Sequence, residues 1–95
     1  MENDRKYNGW TNYETWCVNL WFENDEGLYR DLLYLAQEAD NVYDLSQDIK
    51  AMVEEWTPEV TGLFADLINA ALSEVDWQEI AQQWWDAAYE DEDEE

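Results

Sequence analysis

Trp10-Thr11-Asn12-Tyr13-Glu14-Thr15-Trp16-Cys17-Val18-Asn19-Leu20-Trp21, closed by Asn24-Asp25-Glu26-Gly27, is the stretch whose reading decides the fold. Its apolar and aromatic residues at 13, 16, 17, 20 and 21 follow the i, i+3, i+4, i+7, i+8 spacing of a helix with one buried face. Thr11 with Glu14 has the S/T-x-x-E form of a capping box, so the helix is expected to start there and run to about Glu23.

Downstream, the same signals recur. Asn24 or Asp25 can cap a second helix carrying Leu28, Tyr29, Leu32, Leu33, Leu35, Ala36 and Ala39, and Asp40 or Asn41 a third with a stripe of Val42, Leu45, Ile49, Met52, Val53 and Trp56. Thr57-Pro58 predicts the start of a fourth helix, with Thr57 as its cap, that buries Val60, Leu63, Phe64, Leu67, Ile68, Ala71 and Leu72. Asp76 and Glu79 repeat the capping arrangement before a fifth, whose inner face is Trp77, Ile80, Ala81, Trp84 and Ala88. No stretch alternates apolar and polar residues over strand length. The expected fold is all-α, a compact bundle of about five short amphipathic helices. It divides into a flexible lead-in over 1–8, a single helical domain over 9–89 and an acidic disordered tail over 90–95.

Composition limits the function. Ninety-five residues make one domain, and seven Trp, six Tyr and two Phe argue for a packed core rather than a disordered acidic chain. Against 25 Asp and Glu stand four Lys and Arg, giving a net charge of −21, and no basic residue follows Lys50. Such a surface repels nucleic acid and anionic membranes and attracts proteins with basic binding surfaces. Cys17 is alone and reads as a small core residue. No apolar run reaches the length of a membrane span or resembles a secretory signal, so a soluble intracellular protein is expected.

The chain has no His, the usual general base, and most of its acids fall on polar helix faces rather than in dry pockets, so an enzyme is not expected. Asn24-Asp25-Glu26-Gly27 lacks the alternating ligands of a calcium loop, and Gly9, Gly27 and Gly62 form no phosphate cradle; no metal and no cofactor are expected.

What remains is the placement of the acids. Asp40, Asp44 and Asp48 recur every four residues, one helical row about 6 Å apart along the axis, and Glu55 continues it. A DNA strand carries one phosphate per roughly 3.4 Å of axis. Rows at this scale can imitate a phosphate backbone. Solvated helix faces also carry acid rows, but ordinary ones interleave Lys and Arg to gain i, i+4 pairs, and this chain forgoes them. The expected partner-binding residues are Asp40, Asp44, Asp48, Glu54, Glu55, Glu59 and Asp66, with Trp85 beside them as an aromatic anchor. Trp10 and Phe22 are further candidate aromatic contacts.

The run Tyr7-Asn8-Gly9-Trp10-Thr11-Asn12-Tyr13-Glu14-Thr15-Trp16, with Val18, Leu20-Trp21 and Asn24-Asp25-Glu26-Gly27-Leu28-Tyr29, resembles a group of small uncharacterised proteins of phages and mobile elements. That group carries N-Y-E-T-W-x-V-x-L-W ahead of N-D-E-G-x-Y. In charge, helical pattern and tail, the chain also resembles phage antirestriction DNA mimics of the Ocr and ArdA kind and acidic anti-CRISPR proteins. The second resemblance implies a non-enzymatic, phage-encoded inhibitor that occupies the basic DNA-binding surface of a restriction-modification or CRISPR-Cas complex, without binding nucleic acid or membrane itself. A homodimer is a further possible assembly. The alternative is a phage structural or adaptor protein that binds through exposed aromatics, its acidity serving solubility or high-salt adaptation.

Overall fold

The computed structural model describes residues 7–93, the side chains of 90–93 excepted. Five helices follow in order: α1 Tyr13–Asn24, α2 Glu26–Glu38, α3 Val42–Trp56, α4 Gly62–Ser73 and α5 Trp77–Asp93. The bundle is all-helical among the described residues, as the 3.6-residue periodicity requires. None of its helices is long and apolar enough to cross a membrane.

The caps explain most of the boundaries. Asp25 accepts from the Leu28 amide at 3.0 Å to start α2, Asn41 from the Asp44 amide at 2.8 Å to start α3, and Asp76 from the Glu79 amide at 3.0 Å to start α5. Two expected starts are displaced. The N-cap of α1 is Asn12, whose Oδ1 accepts from the Thr15 amide at 2.9 Å, so Thr11 and Glu14 form no capping box. The carboxylate that does accept from the Thr11 amide, at 3.1 Å, is Glu79, 68 positions away. Thr57 closes α3 rather than opening α4, which begins at Gly62 after Thr61. Pro58 therefore sits in a connection, where it stops one helix without starting the next.

Tyr7 and Trp10 exchange amide-to-carbonyl bonds of 2.6 and 2.7 Å across Asn8-Gly9. Both central residues have positive φ, 50° and 93°, which Asn and Gly tolerate best. Tyr7 and Asn8, expected in the flexible lead-in, belong to a tight turn that folds the Tyr7 ring onto Tyr13 and Trp16, with centroids 5.3 and 5.0 Å away. Residues 1–6 lie outside the described residues. At the other end α5 continues to Asp93, so the acid run begins as helix; residues 94 and 95 again lie outside.

α5 is the central element, packed against α1, α2 and α3. Its Ile80, Ala81, Trp84 and Ala88 are buried with Phe22 of α1, Leu32 and Ala36 of α2, and Leu45 and Ile49 of α3. Tyr29 of α2 meets the Trp84 ring edge to face, centroids 5.0 Å apart.

α1 is rotated from its expected phase. Its buried residues are Thr15, Asn19 and Phe22, while Tyr13 and Trp21 are exposed and Trp16, Cys17 and Leu20 half-buried. The aromatic stripe does not face inward because apolar residues stand on nearly every side of this helix. With no dominant apolar side, polar partners supplied by α5 decide which face is covered. The expected burial of α4 fails as well. Leu63, Phe64, Leu67 and Ala71 are exposed, and Val60, Ile68 and Leu72 only half-buried.

Candidate functional site

The exposed face of α3 brings part of the expected acid set together. Asp44, Asp48 and Glu55 are exposed and fall within about 40° of one another around the helix at 100° per residue, with axial steps of about 6 and 10 Å. Asp48 and Glu55 flank a shallow groove of about 390 Å³ between α2 and α3, floored by Leu35, Ala51 and Met52. Asp44 has a local duty too. Its Oδ2 accepts from Asn41 Nδ2 at 3.4 Å, and it lies in the first turn of α3, where the helix dipole favours an anion.

The other expected residues are scattered. Asp40 is exposed but precedes the cap Asn41, in the α2–α3 turn, so it is not a member of the helical row. Glu54 lies about 100° round the helix from Glu55 and lines a different groove, about 410 Å³, with Lys50, Asn69, Leu72 and Trp77. Glu59 is exposed in the connection to α4, and Asp66 is exposed on α4 itself. A five-residue connection and a change of helix therefore separate these acids from the row.

Trp85 is half-buried and packs at a tilt of 44° on Tyr89, centroids 4.6 Å apart, against the core, which makes it a poor free anchor. Phe22 is 1% exposed and Trp10 half-buried. The aromatics that do face solvent are others, among them Trp21 at 70%, Phe64, Tyr34, Tyr43, Tyr13 and Trp56. Trp21 completes the i+8 position of the expected core stripe, which the fold turns outward.

A second acidic recess escaped the sequence reading. Glu23, Glu79 and Asp86 line a groove of about 480 Å³ between α1 and α5, with Asn8, Trp10 and Gln82. Glu79 and Asp86 are seven apart on one face of α5, a signal present in the sequence; Glu23 joins them only through the packing of α1 on α5.

The electrostatic cost of this surface is visible in the helix ends. Glu14, Glu26, Asp44 and Glu79 sit in first turns, where the dipole stabilises them. Glu23, Glu38, Glu54 and Glu55 sit in last turns, where it opposes them, and no helix has a basic residue in its last turn. Among the described residues the ion pair present is Arg30 with Glu26 at 3.5 Å, between side chains 73% and 87% exposed, and an exposed pair of this kind adds little. None of the acids whose burial is described is buried, and no three potential metal ligands converge among the described residues.

Over residues 3–94 the chain matches the model of a family described as a family of unknown function, DUF7249. No curated protein and no solved structure matches it.

Proposed function

The chain belongs to DUF7249, and since that family carries no assigned activity, we propose from the surface alone that the protein is a non-enzymatic DNA mimic. In this reading it is phage-encoded, acts in the host cytoplasm and occupies the basic DNA-binding surface of a restriction-modification or CRISPR-Cas complex. The observation that carries it is the α3 edge of Asp44, Asp48 and Glu55: three exposed carboxylates on one rigid helix, with no described cation beside them. Acids kept in last turns against the dipole support the same reading, because solubility alone needs no charge at the positions where it costs most.

Binding would be driven by release of counterions from both surfaces and would weaken steeply with salt. The test is displacement of labelled duplex DNA from a purified restriction or CRISPR effector complex. Asp44→Asn, Asp48→Asn and Glu55→Gln combined should weaken competition about tenfold or more and flatten its salt dependence. Unchanged competition by that variant would overturn the assignment of the site. The adaptor reading has one observation in its favour, the 70% exposure of Trp21. It predicts instead that Trp21→Ala abolishes partner binding while the acid-to-amide variant retains it.

A further inference from the structure

The α2–α3 groove is built alike on both sides. Its floor is Leu35 of α2 with Ala51 and Met52 of α3, and Asp48 and Glu55 line it from the α3 side. Asp48 stands four residues before Met52 and Glu55 three after it. Asp31 and Glu38 stand at the same two offsets from Leu35 on α2. At 100° per residue each acid falls about 40° or 60° round its helix from the floor residue, on the side away from the core residues Leu32, Ala36 and Ile49.

An apolar strip therefore runs between two acidic rims, with all four acids exposed. The described cations are kept off it. Lys50 stands about 160° round α3 from Met52, and Arg30 about 140° round α2 from Leu35, where it pairs with Glu26. Leu35 and Met52 are only half-buried, and a Met side chain adapts to whatever packs on it.

We infer that this groove holds a basic amphipathic helix of the partner, its apolar stripe on Leu35, Ala51 and Met52 and a row of Lys and Arg along each rim. An open groove between two packed helices takes a third by burying one apolar stripe of it. The rims select its charge. A neutral apolar helix seated there would take four carboxylates out of water without partners, and a second copy of this chain, at −21, would be repelled by them. A cationic segment without a stripe would leave the floor unused. On each rim the acids are seven residues, about 10 Å, apart, so the partner's cations are expected at i and i+7 on both flanks of its stripe. DNA offers a reading helix a similar seat, a major groove about 12 Å wide between phosphate rows.

The inference deepens the DNA-mimic reading and rests on it for the α3 edge as the contacted face. The experiment is calorimetric titration of the full chain, at about 0.15 M salt, with a synthetic helix of about 18 residues that carries a Leu stripe flanked by Lys and Arg at i and i+7. The control is a peptide of the same composition in shuffled order. The patterned peptide should bind about tenfold or more tighter than the shuffled one. Ala51→Gln lays a polar side chain across the floor without changing the charge, and Ala51 is exposed, so the fold is untouched. It should weaken binding of the patterned peptide about tenfold, as should Asp31→Asn combined with Glu38→Gln. Equal binding of the two peptides overturns the inference, as does full affinity in either variant. Displacement of duplex DNA from an effector complex separates this inference from the mimic reading. If the unaltered protein and Ala51→Gln displace DNA alike, the α3 edge acts without the groove and this inference alone fails. If the patterned peptide is held as expected and no complex releases its DNA, the mimic reading fails and the groove assignment stands.

Discussion

Trp84 donates its indole N–H to Oδ1 of Asn19 at 2.7 Å, and each residue is only 2% exposed. The same amide donates from Nδ2 to Glu23 at 2.9 Å. The bond joins the middle of α1 to the middle of α5 across 65 positions of sequence, in a core where neither group can turn to water. A buried polar group is tolerated when paired and costly when its partner is removed. The bond thus fixes which face of α1 is inside.

Asn19→Ala should therefore destabilise the protein by about 2–4 kcal/mol, from the orphaned indole N–H and the cavity together. Urea unfolding of Asn19→Ala, Trp84→Phe and the double variant checks the mechanism. A coupling energy of about 1–2 kcal/mol is expected; simple additivity would place the cost in packing instead.

Thr15 is the second tie between the ends of the chain. Its hydroxyl accepts from the Asp76 amide at 2.8 Å and donates to Asn12 Oδ1 at 2.7 Å, while Asn12 Nδ2 reaches the Glu74 carbonyl at 2.7 Å. Thr15→Val keeps the shape and removes both bonds of a buried group, an expected loss of about 1–3 kcal/mol. Thr15→Ser should recover most of it, and amide exchange at Asp76 should rise in the Val variant only.

Self-repulsion predicts a salt response of the free protein. The melting temperature should climb between about 0.01 and 0.5 M salt as the acids are screened. Glu38→Lys and Glu55→Lys reverse an unfavourable dipole contact in the last turns of α2 and α3, and each should add about 0.3–1 kcal/mol at low salt and less at high salt. Calorimetry at the two salt levels reads both effects.

Trp85→Ala should act on stability and leave recognition alone. The ring is half-buried on Tyr89 and the core, so about 1–3 kcal/mol should be lost in denaturant titrations. At a temperature where the variant is folded, its competition against DNA should match the unaltered protein; a selective loss of competition would restore Trp85 as an anchor.

Helix number, most caps and the inner faces of α2, α3 and α5 were legible because each rests on local chemistry. Asp25, Asn41 and Asp76 cap the helix that follows them wherever it packs, and the stripes of Leu32–Ala36, Leu45–Ile49 and Ile80–Trp84 have a single apolar side to bury. α1 and α4 depart from their sequence periodicity for opposite reasons. α1 is apolar on nearly every side, so periodicity could not choose between Trp16–Leu20 and Thr15–Asn19–Phe22. α4 has a clear apolar stripe, but no helix among the described residues covers it. Of the acidic face, the Asp44–Asp48–Glu55 edge follows from spacing within one helix. The Glu23–Glu79–Asp86 recess needed α1 and α5 to be brought together.

By itself the sequence determined an all-helical chain of −21 net charge, because charge, caps and helical period are properties of residues and near neighbours. The tertiary structure alone decided that Asn19 and Thr15 lie inside, that Trp21 lies outside, and that the Leu63–Phe64–Leu67 ridge is left open. The reason is that a polar residue is buried only where a partner waits for it. For Asn19 that partner is Trp84, 65 positions away, and no pattern within one helix encodes the pairing.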